Sequence, residues 1–319
     1  MAATLALSLA LTAANPAPAK ARDDLASALA ALQADDARLQ SIGFRLTVAN
    51  AEFCTDAVPA IGLLLQDMAN YGNPQNMRDA AGIEGDFAVQ ASADGSPAAL
   101  AGLAPNLEVT AIDGVAVGVA RAQGKRDYRR LVALHDRIDA ALAAKGSVAV
   151  TLTNGRTVKL EGEPACPSRF ELETDGTRAS ADGFRVVFGR SFGRKPLLDE
   201  DEYAAAVAHE LAHNLLAHRA WLDANGRGKR NVRATEAEAD RLSVWLLANA
   251  GWEPETAARF MRRWGPRNDG GILRDGTHEA WDERADAMEA EAVRVRAAMD
   301  GDGRADWASG FARNLPEAD

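Results

Sequence analysis

Of the five histidines in this 319-residue chain, three fall within ten positions: His209, His213 and His218, in the stretch AVAHELAHNLLAH. His209 and His213 stand four apart, so on a helix their imidazoles leave the same face about one turn apart. Two imidazoles in that relation can fill adjacent corners of a tetrahedral zinc site. Glu210 follows His209 and points in a neighbouring direction, from which a carboxylate reaches a water at the metal without being a ligand. That is the chemistry of H-E-x-x-H: two ligands and a general base. His218 shares the ligand face less well and is read as a packing or capping histidine.

A hydrolytic zinc takes a third protein ligand and leaves its fourth position to water. The stretch ATEAEADRLS offers Glu236, Glu238 and Asp240. Glu236 and Asp240 share a helix face at i, i+4, whereas Glu238 points away. Glu236 is therefore assigned to the metal. Asp240, one turn later, is assigned to the imidazole N–H that a ligand histidine presents on its far side.

Helices must hold these groups in register. Asp199 is a good N-cap, and Glu200, Asp201 and Glu202 suit a first turn, so this acidic run is read as a cap, not a calcium site. The pattern predicts one helix from there through the histidines to Asn225-Gly226. Further helices are expected over Thr235–Ala250, Pro254–Gly265 and about Glu279–Met299. Upstream, GFRVVFG (Gly183–Gly189) reads as a buried strand, and Phe184–Phe188 as a sheet edge for an extended substrate. Asp23–Gln40 reads as a helix, and residues 44–72 mix an apolar run with helix-compatible stretches, closing on the breaker-rich YGNPQN. From Gly82 to Gly162 come short β-like pieces, DFAVQAS, EVTAIDG, SVAVTLT and RTVKLEG, with one helix over Asp127–Ala144. His135, in that helix, is read as solvated.

Hydrophobic residues make up 47% and charged residues 26%, enough for a buried core, and the length suits two compact domains or one domain with a substantial insertion. A net charge of −10 argues against a nucleic-acid binder, which needs a basic face, and gives no support for a polybasic membrane patch. The opening MAATLALSLALTAANPAPAKA has an apolar run, Ala2–Ala14, of signal-peptide length and an A-x-A site at Ala17-Pro18-Ala19, without a basic n-region. The expectation is an exported, periplasmic protein; whether the segment is removed or kept as a membrane anchor stays open. Two cysteines, Cys54 and Cys166, are candidates for one disulfide, with two buried free thiols as the alternative.

Two resemblances add to this. SPAALAGLAPNLEVTAIDGVAV, through Ser96-Pro97-Ala98, Ala101-Gly102-Leu103 and Ile112-Asp113-Gly114, resembles the PDZ domains of bacterial proteases, with Pro105-Asn106 where Gly-Asp is usual. The resemblance implies a module that adds a peptide to a sheet edge, and its carboxylate-binding loop is expected near Gly82–Gly85. H-E-L-A-H followed 23 residues later by E-A-E-A-D resembles the gluzincin peptidases of the HtpX and CAAX prenyl protease type. The resemblance covers about residues 165–300, including LLANAGWEPETAARFMRRW and THEAWDERADAM, where Glu279 replaces a usual proline. It implies Glu236 as third zinc ligand, Asp240 in the aspartate position, and an oxyanion-stabilising role for His278 or Arg284.

The expected fold class is α+β, a mainly helical zincin-type metallopeptidase domain with a small β-rich PDZ-like insertion. The expected boundaries are a signal peptide at 1–19, an N-terminal helical part of the peptidase domain at 20–81, the PDZ-like domain at 82–162, and the catalytic domain at 163–319. The expected function is zinc-dependent endoproteolysis of exported or misfolded proteins, with one zinc per chain. The alternative is a non-catalytic peptide-binding or chaperone-like protein with a structural zinc.

Overall fold

The computed structural model describes residues 19–118, 128–173, 175–194, 197–268 and 281–316. The signal-like segment 1–18 and His278 lie outside the described residues. The architecture is mixed α+β, with two main cores bridged by one long helix.

That helix, α1 (Ala19–Ala49), has 31 residues and so extends about 46 Å. Its second half places Leu39, Ile42 and Leu46 in the helical core. Its first half sets Leu29 against Met68, Met77 and Ile83. Polar residues lie between: Gln33 donates to Asn106 Oδ1 (2.8 Å), and Asp36 accepts from Gln90 Nε2 (2.6 Å). The helix outruns the expected Asp23–Gln40 because the apolar positions continue to Leu46 and bury.

After α1 the chain forms β1 (Val58–Ala60), β2 (Leu63–Asp67), α2 (Pro74–Ala81), β3 (Phe87–Ser92), α3 (Pro97–Leu100), β4 (Val109–Ile112) and β5 (Val115–Ala116). There follow α4 (Arg129–Lys145), β6 (Ser147–Leu152), β7 (Thr157–Glu161) and β8 (Glu163–Ala165). β2 pairs antiparallel with β3, and β5-β4-β6-β7 form a four-stranded sheet. Ile61 and Leu65 belong to the same core as Val89, Ile112, Ile138 and Val150, so the β-rich lobe starts upstream of residue 82. The physical reason is that β3 needs β2 as its partner. Ser96 caps α3, and Asp113 and Gly114 take positive φ (50° and 74°) at the β4–β5 hairpin, the conformation that a tight two-residue turn demands.

Two expectations fail within this lobe. The amides of Glu84 and Gly85 both donate to the Glu108 carboxylate (3.0 and 2.9 Å), so the loop 82–85 already holds an anion of its own chain. His135 is not solvated: it is half-buried, its Nε2 accepts the Leu65 N–H (3.3 Å), and burial pushes it down to about 4.

β1 pairs antiparallel with β8, closing the neck of the lobe. Immediately outside, Cys54 and Cys166 form a disulfide, with Cα atoms 5.5 Å apart. Beyond the neck come β9 (Arg169–Glu173), β10 (Ala179–Ala181) and β11 (Arg185–Gly189). The sheet order is β10-β11-β9, so β11 is the central strand and not the expected edge. β9 pairs with it in parallel on one side and β10 antiparallel on the other, so both edges of β11 are taken.

The helical body contains α5 (Glu200–Leu215), α6 (His218–Asn225), α7 (Lys229–Asn249), α8 (Thr256–Asn268), α9 (Trp281–Ala298) and α10 (Trp307–Gly310). Asp199 caps α5 in a capping box with Glu202. Ala204–Ala208 and Ala212 are buried, and these small side chains let α7 and α8 close on α5. The expected single helix to Asn225 breaks at Ala217, which is left-handed (φ 54°, ψ 36°). Such a conformation costs an alanine roughly 1 kcal/mol. Among the described residues no helix is long and apolar enough to cross a membrane.

Candidate metal centre

α5 and α7 lie side by side, and across their contact His209, His213 and Glu236 turn toward one another. His209 Nε2 and His213 Nε2 are 3.2 Å apart. Glu236 Oε2 lies 3.4 Å from the first, and its Oε1 lies 3.4 Å from the second. The three donor atoms fall within 4.8 Å of one another.

The surrounding hydrogen bonds decide which nitrogens carry protons. Asp240 Oδ1 lies 3.0 Å from His209 Nδ1. Asp240 is buried with its pKa below the usual carboxylate range: burial opposes this, and Arg284 and His209 outweigh it. As a carboxylate it accepts only, so His209 Nδ1 carries a proton, and Nε2 is the nitrogen that can ligate once it gives up its own. On the other ring, His218 Nε2 faces Glu238 Oε2 at 3.2 Å, and His218 Nδ1 faces His213 Nδ1 at 2.9 Å. In the neutral rings, His218 donates to Glu238 through Nε2 and accepts from His213 through Nδ1. His213 Nε2 is then a bare lone pair.

Two imidazole nitrogens and a carboxylate therefore turn toward one another in a group that could hold a cation. Electrostatics agrees. Burial works against charge on His209, but its hydrogen bonds to Asp240 and Glu236 prevail and push it up to about 10. Burial pushes His213 down to about 3. Glu236 is held well below its ordinary value, His213 and His209 overcoming the effect of burial. Without a metal, the positive charge is a proton on His209. The donor set of two nitrogens and one carboxylate fits Zn²⁺ and leaves a fourth position for water or substrate.

Glu210 is buried beside this cluster, and burial pushes its carboxyl up to about 7. It is next to a ligand in sequence but is not among the three grouped donors. Arg284 is also buried; its Nε and Nη2 hold Asp240 Oδ2 and Oδ1 at 2.6 and 2.8 Å, and Nη2 lies 3.6 Å from Glu236 Oε2. It stands behind the ligands as a brace. Asn214, directly after His213, accepts the Gly183 N–H (2.7 Å) and donates to Ser168 Oγ (3.1 Å). It thereby ties the ligand helix to the β10–β11 turn.

The structure brings together His209, Glu210, His213, Glu236, Asp240 and Arg284, drawn from α5, α7 and α9. Sequence reasoning passed over His218 and Glu238, both about 1% exposed, as partners of a ligand. The available signal was the third histidine of a tight cluster, hidden by the assumption of an unbroken helix. Comparison with protein-family models, curated proteins and solved structures finds no match to this chain.

Proposed function

We propose that the protein is a zinc-dependent endopeptidase that cuts polypeptides held in extended form, with one zinc per chain. The observation that carries this reading is the convergence of His209 Nε2, His213 Nε2 and the Glu236 carboxylate with a buried fourth acid, Glu210, alongside. A structural zinc site has no use for that acid.

Zinc bound there supplies Lewis acidity, polarising a carbonyl and lowering the pKa of water to about 7. Glu210, pushed up to about 7, is matched to take a proton near neutrality and return it to the leaving amine. Asp240 and His218 keep the two imidazoles from turning. The outer edge of β10, packed against α5 and joined to it through Asn214 by way of Gly183, is the strand on which substrate is laid out. The 23-residue interval from His213 to Glu236 supports placement with the gluzincin peptidases of the HtpX and CAAX prenyl protease type. The β-rich lobe serves as a PDZ-like module that selects substrate. The disulfide supports an exported, periplasmic location.

The test is cleavage of reduced casein by wild type and by Glu210→Gln purified in parallel, with zinc content measured on both. The proposal expects about one zinc in each and cleavage only by wild type. Equal zinc with no cleavage by either overturns catalysis in favour of a structural metal site.

A further inference from the structure

His213 is held from outside by a chain of contacts that ends on the C-terminal segment. His213 Nδ1 meets His218 Nδ1 at 2.9 Å, and His218 Nε2 meets Glu238 Oε2 at 3.2 Å. Glu238 is in turn fully engaged. Arg313 Nε and Nη2 each approach its Oε2 to 3.0 Å, and the Asn314 backbone N–H donates to its Oε1. Arg313 Nη1 also donates to the carbonyl of Leu216 (3.0 Å), the C-cap residue of α5.

The segment bringing Arg313 there is itself pinned. Trp307 Nε1 donates to Asn50 Oδ1 (3.0 Å), Arg241 donates to the Ala312 carbonyl (3.1 Å), and Arg241 lies over the Phe311 ring. The break at Ala217 serves the same arrangement. On an unbroken helix, five residues carry a side chain about 140° around the axis, so His218 would face away from His213. The left-handed residue turns it back.

We propose that His218, Glu238 and Arg313 are positioning residues, a clasp closed by the C-terminal segment that fixes the tautomer and aim of the ligand His213. Glu238, an acceptor held by Arg313, obliges His218 to donate through Nε2. His218 then accepts through Nδ1, and His213 presents an unprotonated Nε2 to the metal. The arrangement parallels the His209–Asp240–Arg284 chain on the other ligand with one imidazole interposed: His209 meets its carboxylate directly, His213 reaches one through His218, and each carboxylate is held by an arginine. Outer contacts of this kind change metal affinity by about 10- to 100-fold.

This inference rests on the metal centre proposed above, and its test separates the two. Zinc affinity is measured by chelator competition, and the visible spectrum is recorded with cobalt(II), on the full chain as wild type, His218→Phe, Arg313→Ala and Arg313→Lys. Circular dichroism on each metal-free protein verifies folding. The clasp expects about 10- to 100-fold weaker zinc in His218→Phe with an altered cobalt spectrum, and about tenfold weaker zinc in Arg313→Ala. It expects Arg313→Lys to recover part of that loss. Arg313 has an accessible side chain, so its variants remain informative even where His218→Phe fails to fold. Unchanged zinc affinity and cobalt spectrum in the folded variants, beside a wild type that binds, overturn the clasp and leave the metal centre standing. A wild type that takes up neither metal overturns the metal centre itself.

Discussion

Asp240 and Arg284 meet in a two-point contact, Oδ2 to Nε at 2.6 Å and Oδ1 to Nη2 at 2.8 Å, directly behind the His209 imidazole. The resemblance that implied an oxyanion role for Arg284 concerned its chemistry near substrate. The contacts seen are those of a brace on Asp240, with Glu236 3.6 Å from Nη2. The pair is buried, so removing one partner leaves the other charged and unsatisfied, a loss of about 3 kcal/mol or more. Arg284→Met is expected to lower unfolding free energy by that order and to weaken zinc binding. Arg284→Lys should not restore either property, because one ammonium cannot span both carboxylate oxygens. Urea titration and chelator competition on both variants check this; full rescue by lysine would exclude the two-point role.

Zinc should compete with a proton. His209 titrates at about 10 in the metal-free protein, so the ring is charged throughout the neutral range and must lose that proton to ligate. Apparent zinc affinity is therefore expected to rise by up to about tenfold per pH unit between pH 6 and 9. Calorimetry in buffers of different ionisation enthalpy should show about one proton released per zinc at pH 7.5. A pH-independent affinity would contradict the charge assignment.

Asp36 gives a stability effect remote from the metal. Burial raises its folded value from 3.8 to about 6, against the hydrogen bond from Gln90 that lowers it. A carboxyl raised in the folded state contributes most below its unfolded value, and that contribution is lost as pH rises through the folded value. Asp36→Asn should thus stabilise the protein at pH 7.5 by about 3 kcal/mol, with the gain vanishing near pH 3.5. Denaturation curves at the two pH values measure it, and equal gains at both would refute the assignment.

Ala217 predicts a small effect of opposite use. Glycine accepts the left-handed conformation without a Cβ clash, so Ala217→Gly is expected to stabilise the chain by roughly 1 kcal/mol while leaving zinc affinity unchanged. Ala217→Val, β-branched and unsuited to positive φ, should destabilise it and weaken zinc by turning His218 away. Denaturation midpoints and chelator competition read both; a neutral valine would mean that the break is not fixed at this residue.

Much of the candidate site was legible because its logic is local. The Asp199 cap, the i, i+4 histidines and the Glu236/Asp240 face each depend on a few neighbouring residues, and the structure places them together. What escaped depends on distance. Alanine carries no signal for positive φ, so the break at Ala217 was invisible, and with it the turn of His218 toward Glu238. Arg313 lies 75 residues from the carboxylate that it holds. The order β10-β11-β9 was hidden for a related reason: a parallel partner, recruited across a connection, decides whether a strand is central or outer. Likewise LLLQD, three leucines followed by two polar residues without alternation, gave no indication that β2 belongs with β3.

The paired neck of the β-rich lobe makes that lobe a cassette in the chain. With Cys54 and Cys166 only 5.5 Å apart at their Cα atoms, the excised span can be replaced by one or two residues without redirecting either flank. The cassette is not free of its host, however. Leu29, Gln33 and Asp36 on α1 would be stripped of their cover, so a clean excision must also shorten α1 from its N-terminus to about Ala37. The helical body and the β-rich lobe thus share one helix, and that helix sets the unit in which such a chain can be recombined.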